Sequence, residues 1–324
     1  MTATRDLLAL DGLCVDFTTA QGTQRVVHEV SLAVAAGECL AVVGESGSGK
    51  SQTFLACLGL LASNGGAVGS ARFAGDELIG ADSEALNRIR GTRVTTVFQD
   101  PMNALTPHMT VGSQLVEVLT AHGLAGERDA RRRALDALRR VGLDDPDSRI
   151  RQYPHELSGG QRQRAVIAMA LMAEPALLIA DEPTTALDVA SQAQVLALLG
   201  GLRAQGLAIV LITHDLGTMA GLADRIAVMY GGRVVEEGPA AQLLAAPAHP
   251  YTEALVRSVP RADAAFGQPL ATIEGQPPRP GESLSGCAFE PRCAVRIARC
   301  RADRPELRAS GFEATAACHL VAPP

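Results

Sequence analysis

The feature that most constrains this chain is a glycine-rich segment at residues 44–51, which reads GESGSGKS. It follows the apolar run 39–43 and precedes the apolar segment 52–58, and these flanks predict a buried strand and then a helix. Strand, glycine loop, Lys-Ser and helix in this order are the context that a phosphate-binding loop requires. The alternative, a glycine-rich turn that binds nothing, leaves this agreement of the loop with both flanks unexplained.

Each residue type in this loop has a chemical reason. Glycines let the backbone turn its N–H groups toward phosphate oxygens, and a helix N-terminus adds partial positive charge. Lys50 is predicted to reach the β- and γ-phosphates, and the Ser51 hydroxyl is predicted to bind Mg²⁺. The predicted phosphate-binding residues are Gly44, Ser46, Gly47, Ser48, Gly49, Lys50, Ser51 and Gln52.

Length and composition limit the remaining choices. With 324 residues and 47% hydrophobic residues, the chain has room for one large domain and a smaller one. A net charge of −6 argues against general nucleic-acid affinity, which needs a basic face. The first residues carry charge without an apolar stretch, and no uncharged apolar run is long enough to cross a bilayer. We therefore expect a cytosolic chain that reaches a membrane only through partners.

Apolar runs predict strands that alternate with helices, which is typical of a mostly parallel sheet in an α/β fold. Strands are predicted over residues 7–17, 26–34, 38–43, 93–98, 176–180, 207–213, 226–230 and 233–238. Helices are predicted over residues 52–62, 111–142, 158–172 and 190–205.

Two acidic residues end the strand predicted over 176–180. Asp181 is suited to hold Mg²⁺, directly or through water, and Glu182 is suited to polarise an attacking water as a general base. His214 follows the next long apolar strand. Alone it would be an ordinary strand-end histidine, but its order after the acids favours a sensor of the γ-phosphate.

A second glycine loop, LSGGQ at residues 157–161, opens the helix predicted over 158–172. Ser158, Gly159, Gly160 and Gln161 at a helix N-terminus would make a second anion-binding site. One nucleotide does not need two phosphate cradles in the same chain. We infer that this loop serves a nucleotide held by another subunit.

In this order, the motifs over residues of about 5–260 resemble the ATPase subunits of ATP-binding-cassette (ABC) transporters. The resemblance implies an α/β fold with an ABC-type P-loop NTPase core, an antiparallel β-subdomain and an α-helical signature subdomain. It implies that Phe17 stacks on adenine and that Gln99 touches both Mg²⁺ and the membrane partner. It also implies that Asp188 lies in an inter-subunit loop and that Glu182, His214 and Gln99 form the catalytic set.

The C-terminal part narrows the family. Pro277-Pro278, the HPYT sequence at 249–252 and the spacing of four cysteines resemble the tail of oligopeptide/dipeptide-importer ATPases, some of which hold a [4Fe–4S] cluster there. The implied domains are residues 1–262 for nucleotide binding and residues 263–324 for this extension. Four thiolates suit such a cluster or tetrahedral zinc, and we rank the cluster first, free thiols second and zinc third. The cysteines are Cys287, Cys293, Cys300 and Cys318.

The resemblance implies the ATP-hydrolysing subunit of a peptide-type importer, peripheral at the cytoplasmic face of the bacterial inner membrane. Implied partners are a second ATPase subunit, two membrane permeases and, indirectly, an extracytoplasmic binding protein, with no nucleic acid. Di- and oligopeptides are the first substrate class, and nickel chelates, glutathione-like compounds and opines stay open. Two other classes are a soluble ABC ATPase, disfavoured by the importer-like tail, and a small-molecule kinase, in which LSGGQ would have no role.

Overall fold

A computed structural model of the chain describes residues 6–99, 104–219, 221–259, 272–279, 281–282, 285–311 and 313–321. The chain divides into two compact units. The first takes in Met1–Ala35, Cys39–Gly80 and Ile212–Pro324, and the second takes in Ala36–Glu38 and Ala81–Leu211. The domain boundary predicted between residues 262 and 263 lies outside the described residues and stays a prediction.

The described strands are β1 Asp6–Thr19, β2 Gly22–Ala35, β3 Cys39–Val43, β4 Gly65–Phe73, β5 Asp76–Glu77, β6 Val94–Val97, β7 Leu177–Asp181, β8 Ala208–Thr213, β9 Arg225–Tyr230, β10 Arg233–Pro239, β11 Arg308–Gly311 and β12 Ala314–Ala316. The described α-helices are α1 Lys50–Cys57, α2 Ser83–Asn87, α3 Val111–Ala121, α4 Glu127–Arg140, α5 Pro146–Arg149, α6 Gly159–Leu171, α7 Val189–Ala204, α8 Ala240–Ala245, α9 Pro250–Ser258 and α10 Ala298–Ala302. Within these residues no helix is both long and apolar enough to span a bilayer.

The first unit contains an antiparallel sheet with the strand order β2-β1-β4-β5. Strands β1 and β2 form a long hairpin, in which Leu8 and Leu10 are buried and Asp11 is exposed. Gly22, at a positive φ of 113°, lies just after the turn. This sheet confirms the expected antiparallel β-subdomain.

The same unit contains the strands β11-β12-β10-β9-β3 in this order. The fully buried β3 runs parallel to β9. Strands β9 and β10, both predicted, form a hairpin at Gly231 and Gly232, which have positive φ. Strand β12 pairs antiparallel with β10, with Glu236 opposite Ala316. Residues of the cysteine-containing extension therefore continue a sheet of the nucleotide-binding region, which the sequence did not predict.

In the second unit β6 and β7 are parallel, and the Ala208 N–H of β8 donates to the Ala176 carbonyl. Residues 111–142, predicted to be helical, form two separate helices, α3 and α4. Gly123, at φ 66°, ends the first of them, and the Leu124 N–H donates back to the Leu119 carbonyl. In the first unit, the helix predicted to reach residue 62 ends at Cys57 for a similar reason, since Gly59 has φ 58°.

Candidate nucleotide-binding and catalytic site

The glycine loop connects the buried strand β3 to α1, as predicted. Gly47 and Gly49 have φ of 80° and 95°, a region that favours glycine, and Gly49 caps α1 without a side-chain hydrogen bond. Ser46 and Gly47 are exposed, and Ser51 and Gln52 are partly exposed in the first turn of α1. The helix therefore starts where the loop presents its polar atoms to solvent.

Gly44 is required by close approach to its neighbours. A Cβ atom there would lie 2.1 Å from the Met229 carbonyl oxygen and 2.8 Å from the Ser48 hydroxyl. That Ser48 hydroxyl is buried and has no hydrogen-bond partner within the described part of the chain. Buried polar groups are normally hydrogen-bonded. The unpartnered Ser48 hydroxyl is therefore consistent with a phosphate-binding site in which a phosphate oxygen supplies the missing hydrogen bond.

Lys50 is buried at the start of α1. Its ammonium donates to the Gly44 carbonyl at 2.7 Å and to the Glu45 carbonyl at 3.0 Å. The Thr53 hydroxyl donates to the Gly49 carbonyl at 2.9 Å, which fixes the helix to the loop. The positive charge is therefore held within the loop, where a bound phosphate would compete with these two carbonyl oxygens.

Gln99 and Glu182 meet in the second unit. They follow the parallel strands β6 and β7, so both leave the same sheet edge. The Gln99 Nε2 donates to Glu182 Oε2 at 3.0 Å, and the Thr185 hydroxyl donates to the same oxygen at 2.9 Å. Glu182 has φ 47°, uncommon for a residue with a side chain and frequent at functional sites. The predicted general base is thus held by two donors on one oxygen, with its backbone strained.

Three further predicted residues have simple positions. Asp181 is the last residue of β7 and is partly exposed. His214 follows β8 and is exposed, in the first unit. The Phe17 ring lies against Gly65, where a Cβ would come within 2.7 Å of Phe17 Cε1. Asp100 and Pro101, the next two residues of the sequence after Gln99, lie outside the described residues.

The LSGGQ loop is a helix cap in the described structure. The Ser158 hydroxyl accepts from the Gln161 N–H at 3.3 Å, and the Gln161 side chain accepts from the Ser158 N–H at 3.0 Å. This reciprocal pair is a capping box. Arg162 donates to the Leu157 carbonyl and anchors the loop from behind. Ser158 and Gly159 remain exposed at the start of α6, which leaves them accessible to a nucleotide on another chain.

Asp188 lies directly beside this loop. It caps α7 by accepting from the Ser191 N–H at 2.9 Å and from the Ser191 hydroxyl at 2.7 Å, and these bonds lower the pKa of its carboxyl. A Cβ at Gly160 would lie 2.5 Å from the Ser191 hydroxyl. Only glycine lets α6 approach Ser191 so closely, so the two sequence motifs form one surface of the second unit.

The four C-terminal cysteines line one cavity of about 10 Å³, roughly the space of a single water. Burial raises the pKa of Cys287 to about 11 and also raises that of Cys293, whereas metal ligation requires the thiolate. Across the described residues no three His, Cys, Asp or Glu side chains are arranged to hold a metal ion. The four cysteines therefore converge on one cavity, and in the part of the chain that the structure describes their thiols are not arranged as a metal-binding group.

Sequence reasoning missed a set of contacts to Glu45. The Glu45 N–H donates to the Tyr251 hydroxyl at 2.9 Å, and the Glu45 carboxylate binds Arg292. His249 caps α9 by accepting from the Tyr251 N–H, and burial lowers its pKa to about 4. The HPYT sequence was the available signal, but it indicated only a resemblance and gave no contact.

Comparisons with known proteins agree with this arrangement. A family model described as ABC transporter matches residues 27–185, and one described as oligopeptide/dipeptide transporter, C-terminal region, matches residues 235–300. The oligopeptide transport ATP-binding protein OppD of Salmonella typhimurium is 45% identical over 304 residues, covering 94% of this chain and 90% of that protein. OppD of Mycobacterium tuberculosis is 48% identical over 314 residues, covering 96% of this chain and 51% of that protein.

A solved structure extends the comparison to the fold. It is the dimeric, post-hydrolysis state of the ATP-binding cassette MJ0796 bound to ADP and Pi. That structure is 28% identical to this chain with a TM-score of 0.64, covering 72% of this chain and 98% of its own. The predicted ABC-type P-loop fold is thereby confirmed. The chain belongs to the ABC transporter family, among its oligopeptide transport ATP-binding proteins.

Proposed function

We propose that this chain is the ATP-hydrolysing motor of a peptide importer. The observation that carries the proposal is the loop at residues 44–51. Gly44 leaves no room for a side chain, Ser48 has a buried hydroxyl without a partner, and Lys50 donates to loop carbonyls that a phosphate would displace. The proposal is tested by ATPase activity and peptide uptake together, in vesicles that contain the chain with its permease subunits and binding protein.

Each predicted residue of the site has a proposed role. Lys50 and the loop N–H groups stabilise the β- and γ-phosphates, and Phe17 stacks on the base. Ser51, Gln99 and Asp181 would hold Mg²⁺, which supplies charge neutralisation. Glu182 accepts a proton from the attacking water, and His214 contacts the γ-phosphate. This assignment makes catalysis mainly electrostatic positioning, as expected for phosphoryl transfer.

The remaining motif residues act on a second ATPase subunit. The MJ0796 cassette bound to ADP and Pi is a dimer, which supports pairing of two such chains here. Ser158, Gly159, Gly160 and Gln161 are proposed to contact the nucleotide held by the partner subunit, with Asp188 at the same surface. ATP binding would close the dimer and hydrolysis would open it, driving two permease subunits at the cytoplasmic face of the membrane.

A mixed complex tests the action of the signature across subunits. Ser158→Arg in one ATPase should block the site whose phosphate-binding loop lies in the other, because the larger cation obstructs that nucleotide. We expect hydrolysis to fall at least tenfold at the partner's site only, measured by photocrosslinking of ATP to each differently tagged subunit and by turnover. Ser83→Arg is the matched control, since Ser83 is exposed at the start of α2. If hydrolysis is lost only at the nucleotide bound by the mutated chain itself, the signature does not act on the partner's nucleotide.

The substrate proposal rests on the relatives, whose names describe oligopeptide transport. Labelled di- and oligopeptides should enter vesicles that contain the full complex, ATP and the binding protein. Labelled nickel chelates, glutathione and opines are tested in the same uptake assay as alternative substrates. ATP turnover without uptake of any of these compounds, and without membrane association on co-expression with permeases, would favour the soluble ABC ATPase. Transfer of the γ-phosphate to an acceptor would favour the kinase.

The iron–sulfur proposal rests on the resemblance, and it is supported by the convergence of the four cysteines on one cavity. It predicts brown protein after anaerobic purification, with about four irons per chain. Cys293→Ser should remove the colour and spare ATP binding. Cys14→Ser, at a buried cysteine on β1, is the control and should leave the iron content unchanged. Colourless protein with zinc would favour the zinc site, and metal-free protein with four titratable extension thiols would reject both metals.

A further inference from the structure

A side chain of the C-terminal extension, Arg292, contacts the phosphate-binding loop at Glu45. Arg292 donates from Nη1 to Glu45 Oε2 at 2.6 Å and from Nη2 to Glu45 Oε1 at 3.0 Å. The two parallel bonds form a bidentate guanidinium–carboxylate pair, the strongest geometry for such a contact. The Arg292 side chain is only 4% exposed, so this pair differs from surface ion pairs, which contribute little.

The extension holds Arg292 itself in place. Its Nε donates to the Glu274 carbonyl at 2.9 Å, Nη2 to the Ile273 carbonyl at 3.1 Å and Nη1 to the Tyr230 hydroxyl at 3.2 Å. The guanidinium carbon also lies 5.8 Å from the centre of the Tyr230 ring and 6.0 Å from that of Phe289. Each nitrogen of the guanidinium therefore has a hydrogen-bond partner other than Glu45, and these contacts orient the side chain toward the loop.

Glu45 is the second residue of the loop, so its position matters for the phosphates. Its carbonyl accepts from the Lys50 ammonium, and its N–H donates to the Tyr251 hydroxyl. An unpaired carboxylate in this loop would repel the triphosphate and would compete for the Lys50 ammonium. Pairing with Arg292 removes both effects, because it neutralises the carboxylate and turns it toward the extension.

We propose that Arg292 is a positioning residue through which the C-terminal extension holds Glu45 away from the phosphates and so sets the affinity of the loop for ATP. The proposal rests on the proposed ATPase function. It gives the extension a role in nucleotide binding that does not depend on any metal at its cysteines.

The test measures binding of a fluorescent ATP analogue with Mg²⁺ to the full chain. Arg292→Ala should weaken binding about tenfold, the effect of one uncompensated unit charge close to a charged ligand. Arg292→Lys, which keeps the charge but loses the fork, should lie between it and the wild type. Arg301→Ala is the matched control, because Arg301 lies in the extension, is 82% exposed and faces Glu290 rather than the loop. It should bind within twofold of the wild type.

A double variant separates electrostatics from packing. Arg292→Ala combined with Glu45→Gln should recover affinity to within threefold of the wild type, because the unpaired charge is gone. Failure of the double variant to bind better than Arg292→Ala, with both folded by circular dichroism, would overturn the proposal, as would unchanged binding by Arg292→Ala. If folded wild-type protein does not bind the ATP analogue, the proposed ATPase function is rejected instead. Lys50→Ala is the negative control, because it shows the fluorescence expected when ATP binding is lost.

Discussion

Replacing Glu182 by Gln is expected to lower ATP turnover by roughly a hundred- to ten-thousandfold, the range that a general base contributes. The amide keeps the shape of the side chain, and its oxygen can still accept from Gln99 and Thr185, which both donate to Oε2 in the carboxylate. It cannot accept a proton from water. ATP binding should therefore persist, and the protein should accumulate as an ATP-bound closed dimer on size-exclusion chromatography.

Glu174→Gln provides a closely matched control for this experiment. Glu174 also has positive φ, at 53°, but it is exposed and pairs with Arg133 away from the predicted motifs. Its turnover should equal that of the wild type in the reconstituted complex. Near wild-type turnover by Glu182→Gln under the same conditions would remove Glu182 from the role of base.

The side chains around Glu182 were predictable because the pairing of β6 with β7 determines which residues lie next to it. Two apolar strands that each end in a polar residue place those residues at one edge when the strands are parallel and adjacent, and β6 and β7 are. The left-handed backbone of Glu182 was not predictable, because no local residue preference favours it. It follows from the turn that redirects the chain toward Thr185, whose N–H donates to the Glu182 carbonyl.

The extension shows where sequence reasoning ends. Residues 308–311 read RASG, which carries no strand alternation, yet they pair with β12, itself paired with β10. Their pairing is supplied by an existing sheet edge rather than by local propensity. The contact between Arg292 and Glu45 joins residues 247 positions apart, and a single Arg and a single Glu have no periodic pattern to relate them. Only the tertiary structure identifies this pair.

The cysteines illustrate a different limit. The resemblance implied one site for these four cysteines, and all four line one cavity. Spacing does not determine ligand geometry, which depends on how each Sγ is directed and on the protonation of each thiol. In the described residues that geometry is not the geometry of a metal site. Iron analysis of the purified protein is therefore needed to decide whether the four cysteines bind iron, because their number alone does not.

Gly44→Ala is expected to abolish detectable ATP binding, the second large effect. The new methyl group would lie 2.1 Å from the Met229 carbonyl oxygen, far inside van der Waals contact. This neighbour is backbone in the buried strand β9, so it cannot rotate away as a flexible side chain would. The loop must shift instead, which moves Ser48 and the two carbonyls that hold Lys50. Equilibrium binding of a fluorescent ATP analogue measures the loss.

Overpacking of this kind should also lower the free energy of unfolding by about 1–3 kcal/mol, measured by urea denaturation. Gly66→Ala separates the steric effect from any general cost of replacing glycine. Gly66 lies on β4 without a positive φ, and a Cβ there meets nothing within 4 Å. This control should bind ATP normally and unfold at the same urea concentration or higher, because alanine restricts the unfolded chain more than glycine does. Equal ATP affinity in both variants would mean that the loop tolerates a side chain at Gly44, and the tight approach to β9 would then not be what shapes the phosphate cradle.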